Sequence, residues 1–273
     1  SQGVREVVLT GVHIGDYEDE KSGVVNAHRS FSNNIGVSRG LPVLLKEILR
    51  QTKMPRIRLS SLEPIELTDE LIELYSDDRM SKHFHMSIQS AQTKVLRDMK
   101  RYYSAEDVER ALNTIAEKVP GAFVGMDVIA GFPGETQDEF AETYERLSRL
   151  PWTRLHVFPY SHRPGTVASK REDMCSDNEL RARAERLRTL SLDRYKSEAL
   201  KQIGVVKKVL GLRKGKDGGD STRVGLSRDY WNIELTSTGL QNLVVGEESL
   251  VKITGFDANS TKFDPPLSAE LSL

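Results

Sequence analysis

The sequence predicts an α/β chain of parallel βα units followed by a small all-β unit, on three observations. Between residues 5 and 158, short runs rich in β-branched residues alternate with segments of helical period, the pattern of parallel strands joined by crossover helices. The apolar run 124–130 stops at "GFPGET", a Gly-x-Pro-Gly turn ahead of an acidic helix start, as a buried parallel strand ends. After Gly204 the pattern changes to short strands between Gly-, Asp- and Ser-rich turns, which suits a small β-barrel.

Taken in order, residues 5–11 read as a strand and 16–39 as an exposed polar loop rich in Ser, Asn, Gly and charge. Residues 41–51 read as a helix with Leu44, Leu45 and Ile48 on one face, 56–61 as a strand, 68–75 as a helix and 83–88 as a strand. A helix over 104–118 opens with Ser104-x-x-Asp107, a capping-box variant in which each residue satisfies the other's backbone N–H. The run 124–130, a helix over 137–149 and a strand over 154–158 complete the alternation. Spacing alone leaves an open sheet and a closed barrel equally available. A long helix then begins at the capping box Ser176-x-x-Glu179, carries Leu180, Ala184, Leu187, Tyr195 and Ala199 as its apolar stripe, and ends by Gly204. Strands at 205–212 and 250–253 belong to the all-β part, giving domains of 1–203 and 204–273.

At 273 residues the chain is long enough to bury a sizeable core, with room for one large and one small domain. The absence of a membrane-length apolar run or a signal-peptide pattern predicts a cytoplasmic protein with no membrane partner. One cysteine, Cys175, excludes an intrachain disulfide; in its polar loop it reads as a bystander thiol. A net charge of −1 gives no global pull toward nucleic acid, so RNA binding has to come from a local patch. One exists: Lys207, Lys208, Arg213, Lys214 and Lys216 lie on a stretch without acids, suited to phosphate contacts. Tyr230 and Trp231, beside Arg228, are suited to stacking on an unpaired base. The competing reading packs Trp231 in the barrel core and makes the lysines a solvated edge. Separately, His83-x-His85 places two imidazoles on one strand face and, with Asp127 and His156, suggests a zinc hydrolase.

Five segments carry a more specific signal: "VVLTGVHIGDY" (7–17), "RIRLSSLEPIELTDELIEL" (56–74), "HFHMSIQSAQTKVLRDMKRYYS" (83–104), "DVIAGFPGET" (127–136) and "LHVFPYSHRPGT" (155–166). In residues and order they resemble radical S-adenosylmethionine (SAM) enzymes of the tRNA methylthiotransferase family. The branch most nearly resembled adds a methylthio group to threonylcarbamoyl-adenosine beside the anticodon. The resemblance implies a partial (βα)6 radical-SAM barrel missing its first βα unit, followed by the small RNA-binding barrel called TRAM. It also implies SAM and [4Fe–4S] clusters as cofactors, and a tRNA anticodon stem-loop and an electron donor as partners. In the family, cluster reduction of SAM yields a 5′-deoxyadenosyl radical that takes hydrogen from C2 of the modified adenine, before sulfur and a methyl group are inserted. The family's C-x3-C-x2-C motif and the further cysteines of its auxiliary cluster have no counterpart here. The chain therefore reads as part of a larger enzyme, inactive alone, with Ser1-Gln2-Gly3 a cloning scar, an internal start or a proteolytic end. The alternative is a non-catalytic RNA-binding protein that keeps a degenerate barrel.

By the same resemblance, Gly11, Val12, His13 and Ile14 approach the methionine amino group. Ser60, Ser61 and Glu63, with Gln89 and Ser90, approach the ribose, and Arg101 neutralises the methionine carboxylate. Asp127 joins the same site. Gly131, Pro133, Gly134 and Glu135, up to Thr136, back the adenine through main-chain groups; Phe158, Tyr160 and Ser161 complete its wall. The chain departs from the family at Ala91, usually Gly, at Met126, usually a small hydroxyl residue, and in the length of the 16–39 loop.

Overall fold

Strand pairing in the first half follows from apolar residues at every second position. In the computed structural model, which describes residues 3–11, 13–17, 40–213, 221–236, 242–260 and 265–272, these runs form five parallel strands in chain order. They are β1 (Val7–Leu9), β2 (Ile57–Leu59), β3 (His83–Gln89), β4 (Phe123–Ala130) and β5 (Arg154–Pro159). β1 pairs with β2, and β3, β4 and β5 form one ladder. Parallel bridges Ile57–Met80 and Leu62–Met86 join β2 to β3. Among the described residues no ladder joins β5 back to β1. Most of the predicted polar loop, residues 18–39, lies outside the described residues.

Crossover helices cover one face: α1 (Gly40–Gln51), α2 (Asp69–Glu73), α3 (Thr93–Asp98), α4 (Ala105–Lys118), α5 (Gln137–Arg149) and the long α6 (Asp177–Leu200). The side chains of Thr68, Ser104, Thr136 and Ser176 cap α2, α4, α5 and α6, the last three in complete capping boxes with Asp107, Glu139 and Glu179. Leu59, Phe84, Met86, Ile88, Met126, Val128 and Leu155 point toward these helices and are buried. Their alternate neighbours, among them Arg58, Ser60, His83, His85, Asp127, Arg154 and His156, line the opposite face.

The C-terminal quarter is a closed barrel. After β6 (Val206–Gly211) come β7 (Ser221–Thr222), β8 (Val224–Ser227), β9 (Asn232–Leu235), β10 (Leu243–Val244), β11 (Glu248–Phe256) and β12 (Leu267–Leu271). The barrel runs β11-β12-β9-β8-β6 and closes through β6–β11 pairing, while β7 and β10 pair separately. Val209, Trp231, Ile233, Leu235, Val251, Ile253 and Leu267 fill it.

Two devices fix the β-barrel against the parallel strands. α6 contributes Ala184 and Leu187 to the first core, and Tyr195 and Ala199 to the second. Arg56, fully buried just ahead of β2, donates from Nε to Glu6 Oε2 at 2.6 Å. Its Nη1 donates to Glu248 Oε1 and the Leu226 carbonyl, each at 3.2 Å, and its Nη2 to the Ser227 carbonyl at 3.1 Å. Arg228 also pairs with Glu248 and donates to the Asp78 carbonyl. Burial alone raises the pKa of Glu6 and Glu248, but hydrogen bonds and charge from the arginines outweigh it and hold both below the usual 4.5.

Arg56→Ala takes one of two guanidinium partners from each of Glu6 and Glu248, which keep Arg58 and Arg228, and removes the donor to two β-barrel carbonyls, so it is expected to cost about 2–4 kcal/mol in urea denaturation. Because the folded pKa values of Glu6 and Glu248 are depressed, their contribution is present above 4.5 and lost as pH falls through the folded values. Arg56→Ala should therefore also flatten the acid limb of the stability profile; a cost below about 1 kcal/mol contradicts the lock.

Candidate functional site

A pocket of about 500 Å³ opens at the C-terminal ends of β3, β4 and β5, where parallel α/β architectures place ligands. Gln89 ends β3, Asp127 and Ile129 come from β4, and Phe158 and Pro159 end β5. Phe132, Tyr160, Ser161 and Arg163 add an outer wall, with Phe132 edge-on to Tyr160 at 5.6 Å between ring centroids. Arg101 enters from the side, its Nη1 2.6 Å from Glu63 Oε1; His13 Nδ1 lies 3.8 Å from the same oxygen. Backbone strain collects here. Ser61, Gln89 and Lys100 sit at φ of 68°, 60° and 61°, a region few non-glycine residues occupy and one that clusters at functional sites.

Of the residues predicted for a cofactor, the structure thus brings Gln89, Arg101, Asp127, Phe158 and Tyr160 to one pocket, with Glu63 against Arg101 and His13 near Glu63. Gly11 is exposed beyond them, and Val12 lies outside the described residues. Ser60 turns inward, 3.4 Å from His85 Nδ1. The expectations for Ser90 and the glycine turn need correction. Ser90 is fully buried beside Thr143, because it points oppositely to Gln89. Gly131, Pro133 and Glu135 are buried and Gly134 half-buried, and the turn is covered by protein. The Gly131 N–H donates to Glu135 Oε2 at 2.9 Å, and the Gly134 N–H to the Asp173 carbonyl at 2.8 Å. Glu135 pairs with buried Arg183 at 3.0 Å, and Arg183 also donates to the Glu135 carbonyl. Both glycines sit at positive φ, 70° and 82°; a Cβ at Gly131 would strike Leu180, and one at Gly134 would strike Arg171. Their small size admits the chain's own returning segment. Cys175 lies against Gly131, its thiol pKa pushed up by burial.

Behind this pocket, sharing Asp127 and Phe158 with it, a cavity of about 680 Å³ follows the polar face of the strands. We call it the lumen. At mid-depth His85 Nε2 is 2.9 Å from Asp127 Oδ1, with His156 edge-on to His85 at 5.5 Å. Deeper lie Arg58, His83 and Arg154, and the floor is made by Leu212, Leu226, Tyr230 and Asn232 of the β-barrel. Tyr230 stacks on His83 at 3.9 Å and under the Arg58 guanidinium at 4.3 Å, itself at φ 75°. Burial, then the charges of Arg58, His85 and His156, hold His83 well below 6.5; His156 is lowered by burial and by His85. Burial takes Arg154 down to about 10. Arg58 and Arg154 are absent from the sequence-derived site. Polar residues at alternate positions of apolar runs, as in 56–60 and 154–158, are the signal that marks the lumen.

A model of the radical SAM superfamily matches residues 1–147, more than half of the chain. The chain belongs to the radical SAM superfamily. Among curated relatives of this radical SAM protein, a threonylcarbamoyladenosine tRNA methylthiotransferase of Bacillus subtilis is 35% identical over 267 residues, covering 96% of this chain and 55% of the relative. One of the same name from Aquifex aeolicus is 37% identical over 199 residues, 72% of this chain and 44% of the relative. A tRNA-2-methylthio-N(6)-dimethylallyladenosine synthase of Sphingopyxis alaskensis is 28% identical over 266 residues, 96% and 56%. The chain spans about half the length of the curated relatives it matches.

The pocket at the strand ends fits SAM in size and chemistry: an aromatic wall for adenine, amide and hydroxyl groups for ribose, and a guanidinium for a carboxylate. A [4Fe–4S] cluster does not fit this sequence, whose one cysteine offers one thiolate. Among the described residues, no group of three or more His, Cys, Asp or Glu is placed to hold a metal ion. The zinc reading of His83, His85, Asp127 and His156 therefore finds no such group among the described residues.

The RNA-binding residues separate. Lys208 and Arg213 are exposed, whereas Lys207 is almost buried in an ion pair with Asp229. Lys214 and Lys216 lie outside the described residues. Trp231 is 2% exposed and edge-on to Phe123 at 5.1 Å, so it has no face for a base; Tyr230 spends one face on His83. Among the described residues no helix is long and apolar enough to cross a membrane.

The imidazole burial predicts a pH dependence. The folded pKa values of His83 and His156 lie below 6.5, so the unfolded chain protonates first; their contribution is present above 6.5 and lost as pH falls through the folded values. Stability in urea is expected to fall between about pH 7.5 and 5.5, and His83→Phe to reduce that fall. A profile unchanged by the substitution contradicts the burial of a neutral imidazole.

Proposed function

We propose that this chain is the SAM- and substrate-binding body of a tRNA methylthiotransferase, a transferase that adds a methylthio group at C2 of N6-threonylcarbamoyladenosine near the anticodon. One observation carries the reading: residues assigned separately by resemblance to methionine, ribose and adenine (Arg101, Gln89, Tyr160) line one SAM-sized pocket. The Bacillus subtilis relative, similar along nearly the whole chain, supports the substrate class. Domains of 1–203 and 204–273, the second a TRAM-like RNA-binding barrel, follow from the same reading, as do a tRNA anticodon stem-loop and an electron donor as partners. A tRNA substrate puts the work in the cytoplasm.

Within this reading, the chain's residues bind, orient and exclude water. Arg101, anchored by Glu63, offers remaining guanidinium donors to the methionine carboxylate. Gln89 is held in its strained conformation toward the ribose, and Phe132 with Tyr160 forms an apolar slot for adenine. Asp127, hydrogen-bonded to His85, stands where this pocket meets the lumen and orients the acceptor base against the cofactor. SAM, with a cluster whose ligands are not in this sequence, supplies the radical chemistry. Lys208 and Arg213 supply phosphate contacts to the RNA.

Two measurements test the reading. SAM binding to this chain by calorimetry should weaken about tenfold in Phe132→Ala and in Gln89→Ala, the scale of one aromatic contact or one well-made hydrogen bond. Unchanged affinity in both removes the pocket as the SAM site. For RNA, log affinity for an anticodon stem-loop should fall linearly with log salt, and Lys208→Ala with Arg213→Ala should lessen the slope by about 1–2. Salt-insensitive binding contradicts the β-barrel as an RNA contact.

A further inference from the structure

We infer that the deep end of the lumen binds the carboxylate of an N6-substituted adenine, held by Arg58 and His83. The inference rests on the tRNA-modifying reading and names the groups that select among its substrates.

The first observation is an imbalance of charge. Glu6 serves Arg56 and Arg58, and Glu248 serves Arg56 and Arg228, so two carboxylates meet three guanidiniums at the base of the strands. The second concerns polar atoms left unmade. Arg58 is 3% exposed; its Nε and Nη2 contact Glu6, but its Nη1 is buried with no hydrogen-bond partner among the described residues. His83 is 5% exposed, and its Nδ1 is in the same condition. Buried donors are nearly always satisfied, and an unsatisfied guanidinium N–H is among the costliest to leave so. Both residues line the same cavity, and both contact the ring of Tyr230. Arg154 faces the cavity from β5, over the Tyr195 ring at 5.0 Å. Burial first, and then the charge of Arg58, depress the pKa of His83.

An anionic oxygen group relieves all of this. It accepts from Arg58 Nη1 and from the Nδ1–H tautomer of neutral His83, two hydrogen bonds of which the first is charge-assisted. The cavity meets the cofactor pocket at Asp127 and Phe158, so a base lying at that junction extends its N6 substituent toward the floor. The substrates in the names of the relatives differ in this group. A threonylcarbamoyl substituent ends in a carboxylate, whereas a dimethylallyl substituent is a hydrocarbon that would leave Arg58 and His83 unmet.

The test compares binding of the two free nucleosides, N6-threonylcarbamoyladenosine and N6-dimethylallyladenosine, to this chain by calorimetry, with inorganic phosphate as a third probe. The expected result is at least about tenfold tighter binding of the carboxylate-bearing nucleoside, the scale of one charge-assisted hydrogen bond. Arg58→Gln should bring the ratio to within about twofold by weakening that nucleoside alone. His83→Phe should lower the ratio without disturbing Glu6, which keeps the test valid if Arg58→Gln lowers the melting temperature. Equal binding of the two nucleosides overturns the inference, as does a preference that survives both substitutions. Phosphate bound at Arg58 without any nucleoside preference also overturns it, in favour of a free-phosphate site. If SAM binds and neither nucleoside does, the inference fails and the cofactor reading stands. If the carboxylate preference is present and SAM does not bind, the inference stands and the cofactor pocket is misassigned.

Discussion

Everything below the cofactor pocket depends on one buried cation. Arg56 enters β2 with no solvent exposure and divides its donors between a carboxylate of its own sheet, a carboxylate of the β-barrel and two β-barrel carbonyls. A guanidinium taken out of water is tolerated only when its donors are met, so these four partners fix one arrangement of barrel against strands. That arrangement brings Tyr230 against His83 and Arg58 and makes it part of the floor of the lumen. The β-barrel thus supplies part of the lumen wall through Leu212, Leu226, Tyr230 and Asn232.

The parallel strands invert a common distribution of polarity. Their apolar face meets the helices, and the face toward the strand-lined cavity carries Arg58, His83, His85, Asp127, Arg154 and His156. Filled barrels use branched apolar side chains here; this chain keeps polar groups and a large cavity instead. The cost shows in depressed imidazole pKa values, in buried donors without partners, and in four non-glycine residues at positive φ among the described residues, all beside one cavity or the other. Such features persist when the surroundings over-determine them, and here they mark the region that the functional reading uses.

Legibility in the sequence followed the range of the interactions. The boxes Ser104–Asp107 and Ser176–Glu179 are local, and they begin helices where the spacing predicts; α3 has only six residues and no apolar period, so it escapes notice. Gly131 and Gly134 are legible as a turn needing positive φ, but what approaches them is set by Arg171, Asp173 and Leu180, which are distant in sequence. Gln89 and Ser90 differ by one step along a strand end, enough to send one into the pocket and the other into the core. Trp231 illustrates the same limit in the β-barrel: composition places an aromatic there, and only the register decides that it faces inward. Charge on Lys207 is visible in the sequence, whereas its neutralisation by Asp229 depends on the pairing of distant strands.

The central claim, that the β-barrel forms the floor of the lumen, is most directly tested by nuclear Overhauser contacts in chain selectively labelled at tyrosine and histidine. A ring separation of 3.9 Å predicts a strong contact between the Tyr230 and His83 side chains, lost together with the Arg56 lock in Arg56→Ala. Absence of that contact in the unsubstituted chain, with Tyr230 at the chemical shift of a solvent-exposed tyrosine, would separate the two units and contradict the account.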